Sequence, residues 1–416
     1  MSSPGGEAKH RVLLIGLEFI DPIFSGNGIY SRTIVRSLIV TANYKVHVLC
    51  GRPESEKDEP VRVSSHELQK AQESGDLTIT AIPLPVWKKL DADSSWQTFG
   101  QKASLHVKTI VDTFKPTVAF GVDWTSALPY RNLGLKQRGV PYVLFVFRSF
   151  SAQNGMKNDR RAWYVEKETE AAEVSNSCVV LSEVDKVWNV DQYDCAPPLN
   201  VFTLNPPLRE DFHDMWEQIP KEDGLPRKYV TCCSRLEKSK RPDLFVDMVV
   251  HCSEFLKKHK YVPLLIGSRT DAEYSDMLVK KLTDNFAAGE FKVLPFQKDP
   301  EVLMKVWQQT LLNVHPALYE SYGMTIVEAA AFGCPTLLDS GGSIGATDLI
   351  SEDNMRFTVD MANTELASDC MASILGDSAE KREVLFQAGR RAQQQSLGWS
   401  HVEHCKKMQT IIEQSV

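Results

Sequence analysis

Apolar residues in this chain gather into short runs separated by longer amphipathic stretches, and the two patterns alternate from end to end. Arg11-Val12-Leu13-Leu14-Ile15-Gly16, Val46-His47-Val48-Leu49-Cys50, Leu77 to Ile82, Val118 to Gly121, Tyr142 to Phe147 and Cys178 to Leu181 have the length and composition of buried strands. Helical spacing lies between them: Ile29, Ile34, Val35, Leu38 and Ile39 share one face, and helices are expected over 100–114, 126–138 and 160–175. Residues 52–75 are polar and read as a surface excursion with a short helix. Strand and helix in alternation build a parallel sheet covered on both faces, so the fold class is α/β, doubly wound.

The pattern breaks at 206–226, where Pro206, Pro207, Pro220 and Pro226 stand among charged residues, and this segment reads as a linker. A second alternation begins at Tyr229-Val230-Thr231-Cys232-Cys233 and runs through Pro263 to Gly267, Phe291 to Leu294, Leu311 to Val314 and Thr336 to Leu338. The expected organisation is a disordered tail (1–9), an N-terminal Rossmann-like domain (10–205), the linker, a C-terminal Rossmann-like domain (227–378) and a C-terminal helix (379–416). A chain of 416 residues has room for two domains of ordinary size.

Composition narrows the function classes. Hydrophobic content of 43%, charged content of 24% and a net charge of -7 fit a globular protein with no global attraction to nucleic acid or anionic lipid. No apolar run reaches membrane-spanning length, and Met1 to Glu7 lacks a signal-peptide core. The nine cysteines contain no C-x-x-C, so they read as small packing residues in a reducing compartment.

The chemistry concentrates in Glu320-Ser321-Tyr322-Gly323-Met324-Thr325-Ile326-Val327-Glu328, continuing to Gly333-Cys334-Pro335. A strand ends at His315-Pro316, a loop follows, and Gly323 opens a helix whose stop signal is Gly333 with Pro335 beyond. The free amides of Gly323, Met324 and Thr325 form an anion site that suits a diphosphate, with Tyr322 beside it. Glu328, one turn in, is placed for a ribose hydroxyl pair, and Glu320 for a sugar hydroxyl beyond the phosphates.

This segment resembles the E-x(7)-E signature of retaining GT-B glycosyltransferases of glycosyltransferase family 4. The resemblance implies two Rossmann-like domains facing a central cleft, with the last helix crossing back to brace the N-terminal domain. It also implies transfer of a hexosyl unit from a UDP- or GDP-linked sugar to a hydroxyl acceptor, without metal or other cofactor. Ser234-Arg235-Leu236-Glu237-Lys238-Ser239-Lys240 resembles the family's G-R-L-x-x-x-K-G element, with Ser234 and Arg241 replacing glycines. Arg235 and Lys240 would stabilise charge on the departing diphosphate; a solvated basic turn is the other reading. Gly26-Asn27-Gly28 resembles the family's glycine-rich loop, implying donor contact by Gly26 and Gly28, against an ordinary turn. Asp123 and Trp124 stand where many members have an H-D-W-like stretch, although Asp123 equally suits a helix N-cap. The family histidine after the fifth strand is replaced by Phe147, followed by Arg148, and these four are the acceptor-side candidates.

Asp91-Ala92-Asp93 matches a metal-binding D-x-D string but lacks the strand that motif needs, and reads as chance. The stretch 131–161 carries Arg131, Lys136, Arg138, Arg148, Lys157, Arg160 and Arg161 against Asp159. Solvated helix faces account for such a run, as does contact with a phosphate-bearing acceptor or a membrane surface. The expected setting is the cytoplasm or the cytoplasmic face of a membrane. Alternative activities are a nucleotide-sugar epimerase, a sugar phosphorylase, or a non-catalytic nucleotide-sugar-binding subunit.

Overall fold

The computed structural model describes residues 10–23, 25–41, 44–86, 95–152, 158–192, 200–208, 212, 227–295, 299–350, 356–376 and 378–415. The tail at 1–9, Asp91, Asp93, Lys157 and most of the linker lie outside them. Contacts divide the chain into two compact units, Met1–Pro207 with Ser400–Val416, and Leu208–Trp399.

In the N-terminal unit seven strands, β1 (His10–Ile15), β2 (Tyr44–Pro53), β3 (Leu77–Leu84), β4 (Val118–Val122), β5 (Tyr142–Val146), β6 (Ser177–Val180) and β7 (Asn200–Thr203), pair in parallel in the order β3-β2-β1-β4-β5-β6-β7. Val12, Leu13, Leu14 and Ile15 are all essentially inaccessible, which requires cover on both sheet faces. The covering helices supply Leu38, Phe99, Tyr130 and Ala171 to that core. Each fully buried side chain of leucine size contributes about 2 kcal/mol.

The expected helix at 100–114 is Ser95–Ala103 continued by a 3-10 turn and a π-helical segment, Lys108–Phe114. The stretch 126–138 breaks into the helix Ala127–Asn132 and the turn Lys136–Arg138, separated at Gly134, whose φ is +68°. The single helix expected over 379–414 is two, Ala379–Ser396 and His401–Ser415, parted at Gly398. The first packs within the C-terminal unit, against Met324–Ala331. The second packs on Gly26–Val40, where Ser37 Oγ lies 3.0 Å from Nδ1 of both His401 and His404.

The C-terminal unit repeats the design with β8 (Tyr229–Cys233), β9 (Val262–Gly267), β10 (Lys292–Pro295), β11 (Thr310–His315), β13 (Thr336–Asp339) and β15 (Arg356–Val359) in the order β10-β9-β8-β11-β13-β15, all parallel. Two short strands, β12 (Tyr319–Glu320) and β14 (Ser343–Ile344), form a separate parallel ladder. In each sheet the strand order reverses once, between β1 and β4 and between β8 and β11. Connections there leave to opposite sides, opening a crevice at the carboxyl ends where ligands bind in such sheets.

Close helix packing supports the second crevice. A Cβ on Gly389 would lie 2.0 Å from the Gly333 carbonyl oxygen, so only glycine lets these segments approach so closely. Arg227 donates to the carbonyls of Thr310, Gly333 and Phe332 at 2.9–3.0 Å, satisfying the C-terminal end of Met324–Ala331.

Candidate active site

The loop after β11 and the loop after β8 leave neighbouring strands of the C-terminal sheet at its reversal point. Gly323 is the N-cap of Met324–Ala331 at φ 95°, ψ 59°, a left-handed conformation natural to glycine. A Cβ there would also meet Ile326 Cδ1 at 3.0 Å. Among the described residues the amides of Gly323, Met324 and Thr325 have no hydrogen-bond partner, whereas Ile326 and Val327 already donate to the Gly323 carbonyl. Three donors and the positive helix end thus form an anion cradle on an otherwise apolar helix. Met324 and Thr325 are half-buried, and Glu328, one turn in, is buried. Tyr322 is buried beside the cradle, and burial, reinforced by Glu328 and Asp348, pushes its hydroxyl pKa far above the ordinary value.

Glu320 lies on β12, where pairing with β14 fixes its backbone. Its carboxylate is 2.5 Å from Lys240 Nζ and 3.5 Å from His315 Nε2, the latter too long for a strong hydrogen bond. Burial acts to raise its pKa, but the Lys240 ammonium and His315 override that effect and hold it at about 2. Glu320 is therefore ionised at neutral pH. The pair also ties the loop after β8 to the loop after β11.

Arg235 does not join this pair. It is about half exposed and contacts Glu237 at 3.1 Å, while Lys240 is only 15% exposed. The loop is held to the sheet by Ser234 N to Ile266 O and Leu236 N to Ser268 O. Arg241, where the sequence pattern calls for glycine, adopts φ 52° and spans to Asp339 at 3.1 Å. The side chain fits because Asp339, at the carboxyl end of β13 and buried, accepts both Arg241 and the Gly341 amide. Sequence reasoning missed Asp339; a polar residue ending a parallel strand before Gly341-Gly342 was the available signal.

In the N-terminal unit Gly26 and Gly28 are not a loop before a helix but its first turn, with Ser25 as N-cap. The Gly28 amide donates to Glu18 Oε2 at 3.2 Å, and that oxygen also accepts from Ser25 Oγ at 2.5 Å. The chain's own carboxylate thus occupies part of this helix end.

Asp123 makes no side-chain cap. At φ 53° its carboxylate accepts from Asn27 Nδ2 and, at 3.1 Å, from the Phe147 amide. Burial pushes its pKa up to about 7 despite those donors. Trp124 is buried among aromatic rings, 5.3 Å from Trp163 and 6.2 Å from Tyr164. Phe147 is buried between Tyr30 and Phe145, and the Arg148 guanidinium lies 5.5 Å from the Phe150 ring centre.

Four cations of the basic stretch have separate partners. Arg131 donates to the Glu170 carbonyl, Arg138 pairs with Asp112, Arg160 lies over Tyr164, and Arg161 donates to the Ser151 carbonyl.

Two doubly wound parallel-sheet units are the fold of the GT-B glycosyltransferases. Residues 215–392 match the family described as glycosyl transferases group 1. Over 222 residues, 48% of this chain, it is 26% identical to sucrose-phosphate synthase 4 of Arabidopsis thaliana, covering 20% of that protein. It is 22% identical over 212 residues to D-inositol 3-phosphate glycosyltransferase of Corynebacterium aurimucosum, covering 49% of this chain and 50% of the other. The matches therefore span half or less of these relatives' length. Sucrose-phosphate synthase of Thermosynechococcus elongatus superposes with a TM-score of 0.71 at 14% identity, over 98% of this chain and 99% of the other. Anabaena HepE in complex with UDP and glucose superposes at 0.64 and 12% identity, over 97% and 99%. An E. coli trehalose-6-phosphate protein bound with UDP-2-fluoro glucose does so at 0.67 and 13%, over 98% and 99%. Among the described residues no helix is long and apolar enough to cross a membrane.

Proposed function

We propose that the protein transfers a hexosyl unit from a UDP-linked sugar to a hydroxyl acceptor with retention of anomeric configuration. The observation that carries this reading is the cradle at Gly323 to Thr325 with Glu328 buried one turn in and the Glu320–Lys240 pair alongside. The cradle amides hold the diphosphate, Glu328 the ribose and Glu320 the sugar, while Arg235 and Lys240 balance charge on the leaving group. UDP is favoured over GDP because HepE and the E. coli protein were captured with uridine nucleotides or UDP-sugar.

In the reaction the bond between the anomeric carbon and the diphosphate oxygen breaks, and a bond from the acceptor oxygen forms on the same face. The acceptor proton passes to a donor phosphate oxygen, and nucleoside diphosphate leaves. No enzyme nucleophile or metal enters this scheme. Phe147 leaves the mechanism intact, because charge stabilisation at the diphosphate dominates bond cleavage.

The test is a panel of nucleotide sugars scored for thermal stabilisation, donor hydrolysis and transfer, with the product anomer assigned by NMR. Retention with a UDP-sugar is expected; an inverted product removes the mechanism, and binding without hydrolysis or transfer leaves a non-catalytic subunit. Alanine at Arg235 or Lys240 is expected to reduce turnover about a hundredfold, the scale of losing one preorganised charge-stabilising donor. Near-normal rates in both variants return them to a solvated basic turn.

A further inference from the structure

Lys240 and Glu320 have separate tasks in glycosyl transfer, one at the diphosphate and one at the sugar, yet in the structure they hold each other at 2.5 Å. Both side-chain contacts of Glu320 fall on one oxygen. Lys240 Nζ and, at 3.5 Å, His315 Nε2 approach Oε1, and among the described residues Oε2 has no hydrogen-bond partner. One oxygen is thus anchored and the other is left to a donor from outside the fold. His315 is only 3% exposed, and its Nε2 is buried without a hydrogen bond of ordinary length. A ring nitrogen beside an ionised carboxylate is favourable only as N–H, since a bare lone pair would face the anion.

The two anchors differ in stiffness. Lys240 reaches Oε1 from the loop after β8 on a flexible four-carbon stem, and its three donors rotate freely. His315 ends β11, a strand paired on one side with β8 and on the other with β13, where His315 itself stands opposite Leu338. A diphosphate carries more charge than a carboxylate and draws the lysine ammonium towards itself. Glu320 would then be a largely buried carboxylate without a partner, which is costly unless another donor stays with it. Burial acts to raise the Glu320 pKa, and after Lys240 it is His315 that opposes this.

We propose that His315 is a positioning residue for the donor sugar: its Nε2–H keeps hold of Glu320 Oε1 when Lys240 turns to the diphosphate, so that Oε2 stays aimed at a sugar hydroxyl. The proposal rests on the glycosyl-transfer reading for what Lys240 and Glu320 bind. It makes His315 matter for the sugar and not for the nucleotide, and only through Glu320.

The experiment titrates the intact protein, His315→Leu and His315→Gln calorimetrically with UDP and with UDP-glucose, UDP-galactose and UDP-N-acetylglucosamine. The readout is the ratio of nucleotide-sugar to nucleotide affinity. In His315→Leu that ratio should fall about tenfold, the scale of one hydrogen bond to a charged group, while affinity for UDP alone is kept. His315→Gln, whose amide brings an N–H near the same point, should restore most of the ratio. In a Glu320→Gln background His315→Leu should have no further effect. A histidine with a merely structural part would weaken UDP and UDP-sugar alike and add its loss to that of Glu320→Gln. Such additivity, or an unchanged ratio in a folded His315→Leu protein, overturns the proposal. If His315→Leu does not fold, nitrogen NMR of the His315 ring in the parent decides: a proton on Nε2 with and without UDP-sugar is expected, and a bare Nε2 overturns the proposal. A parent that binds no nucleotide sugar overturns this proposal and the transferase reading together. A parent that binds one but neither hydrolyses nor transfers it removes the transferase reading alone, and the affinity ratio still decides the part of His315.

Discussion

At the residue scale the clearest departure from the sequence pattern is Arg241. A left-handed conformation at φ 52° costs a non-glycine residue roughly 1–2 kcal/mol, and the ion pair with buried Asp339 offsets it. Two substitutions separate these effects. Arg241→Gly loses the pair but sheds the strain, and is expected to unfold in urea within about 1 kcal/mol of the parent; Arg241→Ala loses the pair and keeps the strain, and should be about 1 kcal/mol less stable than the glycine variant. Equal stability of the two variants would show that the backbone there is unstrained. Glu320 makes a second residue-scale prediction. Its folded pKa of about 2 lies below the ordinary 4.5, so its contribution is complete above pH 4.5 and is lost as pH falls towards 2. Glu320→Gln should be less stable at pH 7, because Lys240 loses its partner, and should lack that acid-dependent loss. Urea midpoints at pH 7, 4 and 3 decide it: parallel curves for parent and variant would remove the pair's role.

At the element scale the central question is whether the Met324–Ala331 helix start binds diphosphate. Gly323→Ala puts a Cβ against Ile326 Cδ1 at a backbone angle alanine disfavours, and narrows the approach to the three free amides. UDP affinity, measured by titration calorimetry, should fall at least tenfold, with a stability loss on the order of 1–2 kcal/mol. Unaltered affinity would move the phosphates away from this helix. This element was legible in the sequence because every cue agreed: an apolar strand ending at His315-Pro316, a glycine start, an alanine-rich helix and a glycine-proline stop. The buried parallel strands were legible for the same reason, since continuous apolar runs need no partner to be recognised. The edge strands β7 and β15 were not, because Asn200 to Thr203 and Arg356 to Val359 are short and only partly buried. Nor was the β12–β14 ladder, which depends on a pairing between segments more than twenty residues apart. Of the candidate site, Glu320 and the glycine-led helix start were legible from the residues themselves, and Lys240 from the resemblance of its loop to a family element. The Arg241–Asp339 bridge, Glu18 on Gly28 and the Asn27–Asp123 contact could not, because each joins separate segments through side chains whose spacing carries no period.

At the scale of the whole molecule the two units differ in how acid acts on them. The N-terminal unit buries His47, His401 and His404, and two of these are held neutral. His47 is held between the hydroxyls of Thr78 and Thr80, and its pKa is lowered by burial to about 4; His404, bonded to Ser37, is lowered by burial to about 3. A histidine with a depressed folded pKa stabilises the fold above its ordinary value of 6.5, and that contribution is lost as pH falls below it, because the unfolded chain takes up the proton first. Asp123 acts in the opposite sense. Its raised pKa of about 7 against an ordinary 3.8 means the fold gains from acidification between those values. Two histidines with large downward shifts outweigh one aspartate, so the net effect is loss. The C-terminal unit holds Glu320, whose window opens only below 4.5. On lowering pH from 7 to 5, protection against hydrogen exchange, taken relative to the intrinsic rate at each pH and followed by mass spectrometry, should therefore fall in β1 to β7 and in His401–Ser415 before it does in β8 to β15. His404→Gln should reduce that loss of protection, since it removes one of the two titrating groups while keeping a hydrogen-bonding side chain against Ser37. Simultaneous loss of protection in both units, or an unchanged profile in a folded His404→Gln protein, would mean that the buried histidines do not set the acid limit of this molecule.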